Sequence, residues 1–135
     1  MDDLAQHGWK RRDLPGFAGL TGPLWTKKEN DAWVFAVLAE DKHVNPAGIV
    51  HGGMLTTLLD HSLSVLAWEA NARVPCVTVA LDVQFLAPAR PGDLIEARGR
   101  ISRQTSSLVF AQGALTVGGS EIATASAIMK VLAPS

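Results

Sequence analysis

The chain has 135 residues and a mass of 14.3 kDa, the size of one domain able to bury roughly two-thirds of its unfolded surface; a two-domain enzyme is excluded. Hydrophobic residues make up 47% and charged residues 19%, a composition that folds. Twelve Lys and Arg against thirteen Asp and Glu leave a formal charge of −1, which gives no overall attraction for a polyanion or an acidic membrane, so an anionic ligand must be held locally.

A single cysteine, Cys76, cannot close an intramolecular disulfide. The segment from Met1 to His7 has neither the basic opening nor the apolar run of a signal peptide, so a cytoplasmic protein is expected. The longest apolar stretch, Met54 to Trp68, is interrupted by Asp60 and His61 and falls short of the ~20 residues of a membrane span.

In chain order, residues 1–23 mix charges with Pro15, Pro23 and several glycines and read as a mobile arm or short helix ahead of a domain over 24–135. Ala32 to Ala39 is a buried strand preceded by the turn signal Asn30-Asp31, so two strands joined by a hairpin are expected. Asp41 to Gly53, with Asn45, Pro46, Gly48, Gly52 and Gly53, has loop composition. Met54 to Asn71 then runs about five turns without Gly or Pro, as one long helix. Leucines cover most of its circumference, which predicts a helix in the middle of the fold. One stripe differs: Thr56, Thr57, Asp60, Ser64, Ala67 and Asn71 are small or polar.

After the helix the period switches to two. Val77, Val79, Leu81, Val83 and Phe85 alternate with Thr78, Ala80, Asp82 and Gln84, and further extended segments follow near 93–103, 107–117 and 121–132. The order β-β-α-β-β-β-β has no crossover helices to make parallel neighbours. It predicts an α+β fold, an antiparallel sheet wrapped around one long helix.

Asp60 is the first candidate for chemistry. A carboxylate amid apolar helix residues is desolvated toward the range useful for acid–base work, and Thr56, Thr57 and Ser64 leave room beside it for a substrate. The structural reading is an Asp hydrogen-bonded to a neighbouring strand or to solvent. Gly52-Gly53 is the second candidate, since a helix N-terminus carries unpaired N–H groups and glycine admits a close ligand; the structural reading is a tight turn. Asp60 follows Gly53 by seven residues, roughly 700° of helix, so the two share a face.

Other constellations fail. Asp60, His61 and Ser62 are adjacent and point apart, so they form no relay. His43, His51 and His61 lack zinc-site spacing, and no phosphate-loop or dinucleotide motif is present; neither a metal nor a cofactor is expected. Arg90, Arg98, Arg100 and Arg103 form a basic group after the third strand. They read either as a solvated face or as a phosphate contact, with Arg90 and Arg103 the foremost candidates.

The segment Asn45-Pro46-Ala47-Gly48-Ile49-Val50-His51-Gly52-Gly53-Met54, with Asp60 nine residues after His51 and Phe85 to Asp93 further on, resembles the signature of hotdog-fold acyl-CoA thioesterases. The resemblance is to the phenylacetic-acid-degradation (PaaI-like) branch, related to the 4-hydroxybenzoyl-CoA thioesterase family, and covers the chain from about Leu24. It implies hydrolysis of aryl- or medium-chain acyl-CoA, with Asp60 as nucleophile or base. The resemblance further implies that the Gly53 amide, or that of its neighbour Gly52, polarises the carbonyl, that Asn45 and His51 shape the loop and the carbonyl site, and that Thr78 orients the acid or water. It also implies a homodimer that pairs into a homotetramer. The spacing agrees on the dimer: seven residues separate Gly53 and Asp60 by about 10 Å along a helix, whereas a nucleophile must come within ~3–3.5 Å of the carbonyl carbon. Two antiparallel copies of the helix satisfy both. His61 reads either as a core histidine or as a residue facing the acyl pocket. Acyl-thioester hydratase chemistry and a non-catalytic acyl-CoA-binding protein are the competing functions.

Overall fold

A computed structural model of the chain describes residues 3–132. Its elements are α1 (Asp3–Gln6), β1 (Lys10–Arg12), α2 (Gly16–Thr21), β2 (Leu24–Glu29), β3 (Ala32–Leu38), α3 (Gly52–Ala70), β4 (Cys76–Phe85), β5 (Leu94–Gln104), β6 (Leu108–Val117) and β7 (Ser120–Val131), with one 3-10 turn at Asp41–His43. The strands form one antiparallel sheet in the order β1-β2-β3-β5-β6-β7-β4. It wraps around α3, the arrangement expected from the switch in period.

The hairpin between β2 and β3 turns on Asn30 and Asp31, whose positive φ values of 50° and 67° are the left-handed pair that a two-residue turn between twisted strands needs. The long helix is buried along Leu55, Leu58, Leu59, Leu63 and Ala67. It lies close to the sheet where Gly99 and Gly113 pair across β5 and β6. A Cβ on Gly99 would stand 2.6 Å from a Leu63 methyl, and one on Gly113 3.0 Å from the same methyl. Glycine at these two positions is therefore what admits Leu63. Ile95, Ala97, Ala125 and Met129 complete the core around it.

The N-terminal segment, expected as an arm or short helix, holds the short helices α1 and α2 and adds a strand. Residues 10–12 form a strand paired with β2, and Trp9 is buried on the far side of the sheet against Val34 and Ala36, with Leu4, Trp25 and Leu94 around them. Lys27 lies over the Trp9 ring at 4.4 Å from its centroid, a cation–π contact. The sheet therefore begins before residue 24. A three-residue strand has no readable alternation, and the partners of Trp9 are distant in sequence.

β4 carries an irregularity of register between Thr78 and Ala80, one extra residue that reverses which side chains face inward. Before it, Cys76 and Thr78 turn toward α3; beyond it, Leu81 and Val83 do. Strict alternation places Thr78 opposite the whole apolar set. The bulge puts it on the same side as Leu81 and Val83, leaving Val77 and Val79 exposed. β4 is also an edge of the sheet, with one side unpaired.

Candidate active site

The loop ahead of α3 is built by Asn45. Its side-chain oxygen accepts the N–H groups of Ala47 at 2.9 Å and Ile49 at 3.3 Å, and its backbone N–H reaches the Ile49 carbonyl at 2.8 Å. This folds residues 45–50 into a compact turn that docks through the Val50 N–H on the Ala89 carbonyl. His51 caps the helix, its Nδ1 accepting the Gly53 N–H at 2.8 Å, while its backbone carbonyl takes the N–H groups of Met54 and Leu55. The first turn of an α-helix leaves its N–H groups without intrahelical partners. Among the described residues, the N–H of Gly52 alone in this turn has no acceptor. The donor expected at Gly53 is thus occupied, and the open one is its neighbour. Gly52 also sits against Phe85, whose ring edge would be 3.3 Å from a Cβ placed there.

Two turns along the helix, Asp60 is half-buried and accepts a hydrogen bond from Thr78 Oγ1 at 2.6 Å. Thr78 reaches it because the β4 bulge turns that side chain toward the helix. Asp60, Thr57 and Ser64 line a cavity of about 330 Å³ between α3 and α2, roofed by Phe17 and Thr21 and floored by Leu24, Val37 and Leu58. A neighbouring hollow of about 440 Å³ includes His51, Gly53 and Met54. The two meet at Phe17, Thr21, Met54 and Thr57, so a groove runs under α2 from the helix N-terminus to Asp60. Thr57 donates its hydroxyl to the Gly53 carbonyl at 2.8 Å, leaving only acceptor capacity for a ligand.

The short helix α2 falls within residues 1–23, read from the sequence as an arm or short helix, but its bounds and its place over α3 were not foreseen. What holds it is His43, buried. Its Nδ1 accepts the Glu40 N–H at 3.0 Å and its Nε2 bonds the Thr21 carbonyl at 2.6 Å, while Lys42 donates to the Gly22 carbonyl.

The arginines divide. Arg98 is committed to Glu29 through two bonds of 2.9 and 2.7 Å and to Glu96 at 2.9 Å, contacts that raise its pKa and lower that of Glu29. Arg100 donates to Gln112 at 2.6 Å. Both line a shallow hollow of about 540 Å³ on the outer face of the sheet, away from Asp60. The side chains of Arg90 and Arg103 have no acidic partner among the described residues, but the structure does not bring them together. Arg90 follows Ala89 beside the N-terminal loop of α3, whereas Arg103 precedes Gln104, which bonds Ala70 and Asn71 at the other end. Nineteen residues of helix, roughly 28 Å, lie between those ends. Cys76 is half-buried and burial pushes its thiol pKa up, away from a reactive thiolate. Among the described residues no three His, Cys, Asp or Glu side chains gather to hold a metal, and no helix is long and apolar enough to cross a membrane.

One long helix wrapped by an antiparallel sheet, with an open amide at its N-terminus and a hydroxyl-bonded carboxylate midway along it, defines a protein of the hotdog class. Comparison with known proteins agrees: the family model described as thioesterase superfamily matches residues 47–124. A Pseudomonas aeruginosa protein named as an esterase is 33% identical over 111 residues, covering 81% of this chain and 83% of that one. Acyl-coenzyme A thioesterase 13 of Mus musculus is 36% identical over 78 residues, 57% of this chain and 55% of that protein. The crystal structure of a phenylacetic acid degradation-related protein of Ralstonia eutropha superposes with a TM-score of 0.74 at 30% identity, covering 87% of this chain and 91% of that one. The chain belongs to the thioesterase superfamily.

Proposed function

We propose that the protein hydrolyses an acyl-CoA thioester to the free acid and CoA, the acyl group being aryl or of medium length. The observation that carries this reading is the pairing of Asp60 with Thr78 at 2.6 Å on the wall of a largely apolar cavity. The Thr78 hydroxyl fixes one carboxylate oxygen and leaves the other for chemistry. Asp60 attacks the thioester carbonyl itself or deprotonates a water that does. Where Asp60 acts as base, the hydroxide adds to the carbonyl carbon, the carbon–sulfur bond breaks, and the CoA thiolate takes up the proton that Asp60 removed from water. Where Asp60 attacks, the carbon–sulfur bond breaks to leave an acyl–Asp60 anhydride, which a water then hydrolyses to the free acid, its proton passing to the thiolate. The carbonyl oxygen becomes an oxyanion, for which the Gly52 N–H at the positive end of the α3 dipole is the preorganised donor.

The donor and the carboxylate do not belong to the same site of one chain. Eight residues separate Gly52 and Asp60, about 12 Å along the helix, too far for one carbonyl group. The unpaired edge of β4 supports the remedy. It is ten residues long and carries exposed Val77 and Val79, with Phe85 and Leu86 exposed at its end. An exposed apolar edge of this kind invites pairing with another chain. A two-fold dimer through β4 sets the partner's helix antiparallel and offers the partner's open amide to Asp60, giving two shared sites. Arg90, beside the helix N-terminus, is then the cation placed to meet a CoA phosphate; Arg103 is too remote to serve the same molecule within one chain.

The test is thiol release from a panel of acyl-CoAs by the purified protein and by Asp60→Asn, which keeps the shape and removes the charge. Turnover is expected to fall about 100- to 10,000-fold with acyl-CoA affinity retained; an Asp60→Asn protein as active as the parent would end this mechanism. Mixing Asp60→Asn chains with Gly52→Pro chains, each inactive alone, tests the shared site. Recovered activity in mixed dimers is expected, and none despite proven exchange would refute it.

A further inference from the structure

We propose that His61 selects the acyl group, by hydrogen bonding a polar substituent carried on it. This rests on the reading of the α2–α3 cavity as the acyl site. His61 follows Asp60 and so points about 100° around the helix from it. Its ring meets Phe35 edge-on, with centroids 6.2 Å apart and planes at 85°. It borders both the cavity that holds Asp60 and a second hollow of about 310 Å³ lined by Val65, Trp68 and Cys76, so the imidazole stands in the wall between them.

Among the histidines and hydroxyls of α3 and the loop before it, only His61 and Ser64 have no hydrogen-bond partner among the described residues. His43 and His51 each engage a ring nitrogen with the backbone. Thr56, Thr57 and Ser62 each return a hydroxyl to the preceding turn. Among the described residues neither nitrogen of His61 makes a hydrogen bond, and neither does the hydroxyl of Ser64, three residues on, which borders the same two hollows. Burial lowers the His61 pKa, an effect the nearby Asp60 charge opposes, so the ring is neutral near pH 7 and offers one donor and one acceptor. Around this pair the cavity is largely apolar, with Phe17, Leu24, Val37 and Leu58 beside Thr57 and the Thr78-bonded Asp60. A plain hydrocarbon acyl group packs there but leaves His61 and Ser64 partly desolvated and unpaired, whereas a group with a hydroxyl satisfies both. Sites that pair with a substrate hydroxyl discriminate strongly against the analogue lacking it.

The experiment compares an arylacetyl-CoA with each of its ring-hydroxylated isomers. The parent protein is expected to prefer one hydroxylated isomer by about tenfold or more in kcat/KM. His61→Leu should bring that ratio close to one, and His61→Gln, which keeps a donor and an acceptor, should restore part of it. Calorimetric binding of the same compounds to Asp60→Asn protein, and to that protein carrying His61→Gln or His61→Leu, reads the same ratio without turnover. A parent protein with no preference for any isomer, or a preference that survives both substitutions, overturns the assignment. If no thioester is hydrolysed at all, the proposed reaction fails, and the binding ratio still decides the role of His61.

Discussion

The two sides of α3 obey opposite rules. On the packed side, Leu59 and Leu63 are each about 1% exposed, and the sheet has given up side chains at Gly99 and Gly113 to let Leu63 in. On the other side, Thr57, Asp60, His61 and Ser64 border a cavity of about 330 Å³, where close packing would exclude a ligand. One helix thus supplies both the stability of the domain and the open wall of its site. The division also explains why its leucines extend round most of the circumference while one stripe stays small and polar. A substitution on the open side should cost activity and spare the fold, and one on the packed side should do the reverse.

The largest effect on the open side, after loss of the Asp60 charge, is expected at the helix N-terminus. Gly52 is the first helical residue, where proline is tolerated because its missing N–H has no intrahelical role. His51 before it has φ −61° and ψ 136°, the extended conformation that a residue preceding proline adopts. Gly52→Pro therefore deletes the open donor with the helix intact, apart from a small adjustment of the exposed Phe85 ring. Turnover should drop about 100- to 1000-fold with the thermal midpoint nearly unchanged. Equal activity would mean that the oxyanion is held elsewhere.

The packed side is tested by Leu63→Ala. Removing a side chain this buried should destabilise the protein by about 2–5 kcal/mol in denaturant unfolding, while the folded fraction keeps its kcat. If Leu63→Ala instead abolishes turnover in protein that remains folded, the two sides are not separable.

Six of the seven strands among the described residues and the long helix were legible in the sequence: β3 to β7 and α3 carry apolar runs or a period of two bounded by Gly, Pro, Ser or Asn, and β2 follows from the turn signal ahead of β3. β1 has three residues and no period, and α2 is so rich in glycine that its helicity depends on being pinned by His43 and Lys42 from a distant turn. Asp60 was legible as an acid interrupting an apolar helix, and Thr78 as the hydroxyl expected to orient it. The face of Thr78 was only partly legible, since one extra residue in β4 reverses the alternation beyond it. Which of the Gly52 and Gly53 amides is left without an acceptor was not legible at all: it is set by where the His51 ring points. Nor does spacing along the chain show that Arg98 is spent on Glu29, sixty-nine residues away.

A smaller effect is expected from the hydroxyl that holds the acid. Thr78→Val keeps the branched shape and removes only the donor to Asp60, so the carboxylate stays in place but loses its fixed orientation. A fall of about tenfold in kcat with little change in KM is expected, the pattern of an interaction used mainly in the transition state. An equal rise in KM would instead mark Thr78 as a ground-state contact with the substrate.

The smallest effect concerns pH and falls on the border between the two sides, where His61 leans on Phe35. Burial depresses the folded pKa of this imidazole below its ordinary value of about 6.5. As pH falls through that value, the unfolded chain takes up a proton that the folded chain still refuses. Stability therefore declines on acidification until the lower folded pKa is reached, below which this contribution is constant. His61→Leu removes the proton linkage at this position, so its unfolding free energy should decline less between pH 7 and pH 5 than that of the parent. Superimposable pH profiles for the two proteins would show that the ring titrates alike folded and unfolded, and that His61 belongs wholly to the open, solvated side.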